Sequence, residues 1–298
     1  MKKGQITQQL WQKLWEDYKL RVSYARIYED MLHEVGGMVV NDHIAFRSLR
    51  LRVEGRNLGI AYLESVVKFL GYEMAGEYIF PDQKLYARHY QHPEQEKLNL
   101  PKLFISELMV ELLPEAIAKM IEKTVTPGKL FDTWDLERWI ETAQVNQFQK
   151  IFTRPWPAPL KSVVEAVHEV SQYGAWVLIH GYAVNHFTGY INRQHAPQYP
   201  DIESTTHALA QRGIPMKATI EGNVGSGLRQ TATQAVTEMV PVYDDASGLL
   251  TRIPWPYAYY EIAERNVVEV APGQKALFEG FLGPQARNLF EMTRKQQA

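Results

Sequence analysis

The sequence predicts an α+β chain built from two β-α-β-β-β modules with additional packing helices. Three observations carry that prediction. Short apolar runs with period-two alternation are bounded by Gly, Pro and Asp turns, as in strands. The order strand, helix, strand, strand, strand occurs twice, in the same sense in each half. Each half also opens on a strand with a histidine and closes on a strand with a glutamate, His43 with Glu107 and His186 with Glu261, as in one module built twice.

Taken in order, Leu10, Trp11, Leu14, Trp15 and Tyr18 recur at helical spacing and continue through Val22, Ala25, Tyr28 and Leu32 to Gly36-Gly37. They predict one long amphipathic helix whose aromatic stripe packs on the core. Met38 to Leu49 is the first strand, in which His43, Ala45 and Arg47 share a face. Leu58 to Leu70 reads as a helix stopped by Gly71. Glu77–Phe80 and Leu85–Tyr90 form a hairpin about Pro81-Asp82, and Leu103–Val110 is a further buried strand. Residues 114–150 are helical with a break at Pro127-Gly128, Pro155–Pro159 is a rigid connector, and Leu160, Val163, Val164 and Val167 mark another helix.

In the second half, Ala175–His180 through Tyr190-Ile191 is expected to be a long strand or strand pair. Asp201 caps a helix closed by Gly213, Ala218–Ile220 begins a strand, and Gly222–Gly227 is a turn. Thr231–Tyr243 is β-rich, Asp244–Gly248 a turn, Ile253–Ala263 a final strand, and a packing helix is expected around Ala276–Phe278 and Ala286–Met292. The expected organisation is a single domain over 1–298: an N-terminal helix (1–37), the first module (38–112), a helical insertion and connector (113–174), the second module (175–265) and a helical tail (266–298).

Composition narrows the function. Hydrophobic residues are 45% and charged residues 22%, and 32 Lys and Arg against 34 Asp and Glu leave a net charge of −2. No basic excess points to nucleic acid, no run reaches the roughly 20 apolar residues of a membrane span, and the polar N-terminus carries no secretory pattern. The expectation is a soluble cytoplasmic protein. Cysteine is absent, so thiolate ligands and nucleophiles are excluded and any metal must be held by His, Asp or Glu.

Two imidazoles and one carboxylate on neighbouring strands make a facial triad with open positions for substrate and oxygen. His43, His186 and Glu261 are the candidates, with His180 an alternative to His186. An isolated strand histidine is otherwise a hydrogen-bonded structural residue. Arg47 shares the His43 face, where a guanidinium can grip a carboxylate; an internal salt bridge is the alternative. Glu107 is a candidate base or acceptor behind a ligand, and Tyr259, on the Glu261 face, a candidate pocket residue beside Tyr190 and Tyr257. Gln230, Thr231 and Thr233 are polar candidates without an assigned role.

Asn41-Asp42-His43-Ile44-Ala45-Phe46-Arg47, Val184-Asn185-His186-Phe187 and Tyr259-Tyr260-Glu261-Ile262-Ala263-Glu264-Arg265 together resemble the 2-oxoadipate dioxygenase/decarboxylase family, also called hydroxyglutarate synthases. The resemblance runs from about residue 38 to 265. It implies a curved sheet or half-barrel like that of the vicinal-oxygen-chelate superfamily. It further implies a mononuclear Fe(II) centre at His43, His186 and Glu261, Arg47 on the substrate carboxylate, and oxidative decarboxylation of a 2-oxo acid by O2. A later arginine that receives the distal carboxylate in the family has no match here, which leaves the substrate open. Two other readings compete: a glyoxalase-like isomerase or hydrolase using Zn, Ni or Mn, and a small-molecule binding module without catalysis.

Overall fold

The computed structural model describes residues 3–283 and Thr293. The chain opens on α1 (Lys3–Arg21) and α2 (Ser23–Glu34), where one long helix was expected; the backbone leaves helical geometry at Val22. The aromatic stripe packs on the sheet as expected: Trp11 lies against Phe46, and Trp15 and Tyr18 against Phe187, with ring centroids 5.1–6.2 Å apart. Each buried aromatic ring of this size removes about 150–250 Å² from water, on the order of 4–6 kcal/mol before entropy.

The first module comprises β1 (Asn41–Arg50), a small hairpin of β2 (Arg52–Val53) and β3 (Arg56–Asn57), α3 (Ile60–Phe69), β4 (Glu73–Phe80), β5 (Leu85–Gln91), the short α4 (Gln95–Leu98) and β6 (Lys102–Met109). The insertion contains α5 (Glu115–Val125), α6 (Thr133–Glu141), α7 (Val145–Gln149), α8 (Lys161–Val170) and α9 (Gln172–His180). The second module runs through β7 (Val184–Tyr190), α10 (Ile202–Gln211), β8 (Glu221–Gly222) and β9 (Leu228–Ala232). It continues through β10 (Thr237–Tyr243), β11 (Leu250–Pro256) and β12 (Glu261–Arg265), and a hairpin of β13 (Val267–Ala271) and β14 (Gln274–Leu277) follows. Among the described residues, no helix is long and apolar enough to cross a membrane.

One eight-stranded sheet unites the modules in the order β4-β5-β6-β1-β7-β12-β9-β8. The order is symmetric about its centre: β1 and β7 pair antiparallel, and each pairs parallel with the last strand of its own module, β6 or β12. The sheet is a curled half-barrel with helices against it, the expected fold class. Nearly all of β1 is buried, polar residues included.

Four local expectations are corrected. Ala175–His180 is helical, not extended: α9 is buried on every side, and an apolar run without surface alternation reads alike as buried strand or buried helix. Ser171 caps it by accepting from the Gly174 N–H, and it ends at Gly181, where φ is +62° and a Cβ would strike the Arg154 backbone. The stretches 231–243 and 253–263 are each divided: β9 and β12 belong to the main sheet, whereas β10 and β11 pair as a separate hairpin. In the tail, Ala276-Leu277 belongs to β14 rather than a helix. The expected helix at 286–292 lies outside the described residues.

Candidate metal centre and cavity

His43, His186 and Glu261 come together on the concave face from three adjacent strands, β1, β7 and β12. The His43 and His186 Nε2 atoms are 3.4 Å apart, His43 Nε2 is 3.4 Å from Glu261 Oε1, and His186 Nε2 is 3.8 Å from Glu261 Oε2. An ion about 2.1 Å from each donor at near-tetrahedral angles would space them about 3.4 Å apart. The donors fit one cation with little movement.

Backbone irregularity on both strands orients the two imidazoles. β1 and β7 pair with one extra residue on each side, Asp42 on β1 and Asn185 on β7. Such bulges re-aim the side chain they carry. Each bulged residue turns its oxygen onto the following histidine: Asp42 Oδ2 lies 2.8 Å from His43 Nδ1, and Asn185 Oδ1 lies 3.1 Å from His186 Nδ1. With Nδ1–H donating in each ring, both Nε2 lone pairs face the centre. Asp42 is fixed in turn by Arg265, whose Nε and Nη2 donate to its two oxygens at 2.6 and 2.8 Å with both side chains fully buried.

Electrostatics favour a cation. Burial, helped by His43 and Arg47, holds His186 well below the usual imidazole range. Burial also lowers His43, against the pull of Asp42. Both rings are neutral and can ligate. Burial, and then the Glu221 and Asp42 carboxylates, push Glu261 well above the usual carboxylate range. Among the described residues its Oε2 is buried without a hydrogen-bond partner, and a cation beside it would favour the carboxylate form.

The donors open on a cavity with ≈ 500 Å³ of empty space, part of it continuous with solvent. Arg47 and Ser106 line one part, Tyr259 and Gln230 another, and Phe80, Phe104, Phe281 and Leu282 supply apolar wall. Tyr259 stacks on His186 with centroids 4.8 Å apart. Arg47 is buried, lies over the Tyr173 and Trp176 rings, and donates to Thr293 Oγ1 at 2.8 Å. Phe281 stands edge-on to His43 at 4.7 Å. Arg265 ties that covering segment to the ligand support by donating from Nη1 to the Phe278 and Gly280 carbonyls.

Of the other candidates, Glu107 is not at this site. It accepts from Arg50 Nε at 2.6 Å and from the Ile60 N–H at 2.7 Å, capping α3 on the other face of the sheet. The expectation failed on register. Glu261 pairs with Thr188, two residues past His186; the matching residue beside Ala45, two past His43, is Phe104. Glu107 lies three residues further, and an odd step reverses the face. An apolar ring thus occupies the fourth symmetric place. His180, in α9, lies 3.1 Å from the Pro256 carbonyl through Nε2, away from the triad. Tyr190 and Tyr257 are buried but do not line the cavity, nor do Thr231 and Thr233. Sequence reasoning gave no role to Asp42, Asn185 or Arg265, although an Asp or Asn directly before the histidine in both halves was a readable signal.

Comparison with known proteins gives a family match and similar folds. The family model described as 2-oxoadipate dioxygenase/decarboxylase matches residues 14–298. The chain is 28% identical over 279 residues to the chloroplastic 2-oxoadipate dioxygenase/decarboxylase of Arabidopsis thaliana, covering 86% of this chain and 68% of that one. It is 28% identical over 247 residues to the chloroplastic/amyloplastic protein of that name from Oryza sativa subsp. japonica, covering 78% and 61%. Among solved structures, a glyoxalase-superfamily protein of Ralstonia eutropha superimposes with a TM-score of 0.80 at 23% identity, over 93% of this chain and 86% of that one. The Oryza sativa hydroxyglutarate synthase in complex with 2-oxoadipate gives 0.78 at 23%, over 98% and 93%.

Proposed function

This chain belongs to the 2-oxoadipate dioxygenase/decarboxylase family, and on that premise we propose that it is an Fe(II)-dependent dioxygenase acting on a small 2-oxo dicarboxylic acid of the 2-oxoadipate type. The observation that carries this reading is the convergence of two neutral imidazoles and one unpartnered carboxylate oxygen on a cavity that also holds a buried arginine. Three protein donors on one side leave the cavity side open for a chelating acid and O2. The overall change balances as a six-carbon 2-oxo diacid plus O2 giving CO2 and a five-carbon hydroxy diacid.

His43, His186 and Glu261 hold the ion, and Asp42 and Asn185 keep the two rings in the tautomer that presents Nε2. A ferrous ion there supplies the one-electron chemistry with O2 that closed-shell side chains lack. Arg47 receives the carboxylate of the 2-oxo acid by paired hydrogen bonds. Its seat over Tyr173 and Trp176 restricts the guanidinium, so little entropy is lost on binding. The apolar wall of Phe80, Phe104 and Phe281 excludes water and strengthens each of these charge interactions.

Anaerobic reconstitution tests the proposal. The wild-type chain is expected to take up Fe(II) and to consume O2 when 2-oxoadipate is added, and His186→Ala to lose both. Equal, negligible iron in the two proteins would refute it. Metal uptake without any oxygen consumption on a panel of 2-oxo acids would favour a Lewis-acid isomerase or hydrolase.

A further inference from the structure

Gln230 is 4% exposed, lines the cavity, and its side-chain amide makes no hydrogen bond with any of the described residues. Of the other polar groups of the wall, Ser106 bonds Tyr173 and the Phe46 carbonyl, Arg47 donates to Thr293, and Asn185 meets His186 through Oδ1 while its Nδ2 has no partner among the described residues.

Strand register places this amide opposite Arg47. In the order β1, β7, β12, β9 the three metal-binding candidates occupy the first three strands; Arg47 stands on the first and Gln230 on the fourth. Along the strands, Arg47 lies four residues past His43. Gln230 pairs with Ala263, which pairs with Tyr190, at the level of the opposite end of β1. Gln230 is one strand across and two residues along from Glu261, about 8 Å between Cα atoms. An extended six-carbon acid held at the triad by its 2-oxo and carboxylate oxygens carries its far carboxyl about 5 Å further on, within reach of that amide. Beside Gln230, Glu221 is ion-paired with Lys217.

We propose that Gln230 receives the end of the substrate remote from the 2-oxo acid group and so selects acids with a polar far end. This rests on the 2-oxo acid reading above and adds the residue that reads the second functional group. The N–H of the amide donates to a far carboxylate, and an acid ending in methyl leaves the amide unpaired.

Calorimetric titration of the Fe(II)-loaded chain without oxygen, using 2-oxoadipate and 2-oxohexanoate, tests the assignment. The wild type is expected to prefer 2-oxoadipate. Gln230→Leu should weaken 2-oxoadipate about tenfold and leave 2-oxohexanoate within about twofold. Gln230→Glu, similar in shape but like-charged toward the far carboxylate, should weaken 2-oxoadipate further and spare 2-oxohexanoate. Wild-type binding of both acids with a preference that neither variant alters would overturn the role of Gln230 and leave the 2-oxo acid reading standing. Binding of neither acid by the wild type would overturn both.

Discussion

Replacing Asp42 with Asn perturbs metal support and fold support through one residue. Asp42 and Arg265 are both fully buried and joined by two hydrogen bonds of 2.6 and 2.8 Å. Removing the charge of one partner leaves the other uncompensated, which costs about 3–5 kcal/mol. Arg265 retains the Phe278 and Gly280 carbonyls, so the lower figure applies, about 3 kcal/mol. At about 2–4 °C per kcal/mol, melting should fall by on the order of 10 °C. The single remaining amide oxygen cannot serve His43 Nδ1 and Arg265 as two carboxylate oxygens do. Metal affinity should therefore fall about 10- to 100-fold, the usual consequence of losing an acceptor behind a histidine ligand. Asn185→Ala is the internal control: Asn185 supports His186 as Asp42 supports His43 but bonds no arginine, so affinity should fall comparably with melting nearly unchanged. Chelator competition with Zn(II) and thermal melting of the metal-free chain at pH 7 measure both. An Asp42→Asn protein that binds Zn(II) like wild type and melts within about 2 °C of it would refute the reasoning.

The remaining predictions concern residues away from the triad. Glu107→Gln should cost about 1 kcal/mol, because it weakens the Arg50 contact and the α3 cap; urea denaturation should show the loss, with Zn(II) affinity within about twofold of wild type, and a large affinity loss would return Glu107 to the metal centre. Burial, and then Arg21, hold His180 down to about 3, against about 6.5 unfolded. Between those values only the unfolded chain takes up this proton, so stability falls as pH drops, by about 1.4 kcal/mol per pH unit for each such histidine. His180→Gln should reduce the slope of stability against pH between about 6 and 4 by one proton, and an unchanged slope would contradict the burial argument.

The two strands carrying His43 and His186, the strand of Glu261 and the twofold β-α-β-β-β order were legible in the sequence, because period-two alternation and turn residues are local properties of the chain. So was the face shared by His43, Ala45 and Arg47. Other features are set between segments distant in sequence. Whether Ala175–His180 is strand or helix depends on what surrounds it, since a fully buried run displays no polar face to mark its period. That the match to Glu261 is Phe104 and not Glu107 depends on the register of β6 against β1, which similar separations along the chain do not specify. Two bulges, invisible in any single strand, bring Asp42 and Asn185 onto the rings of the following histidines. The sequence by itself thus determined which residue types stand ready as ligands and in which strands. Tertiary structure decided which side chains meet, because contact across a sheet is fixed by pairing register and curl, and these arise only when both modules have packed into one sheet.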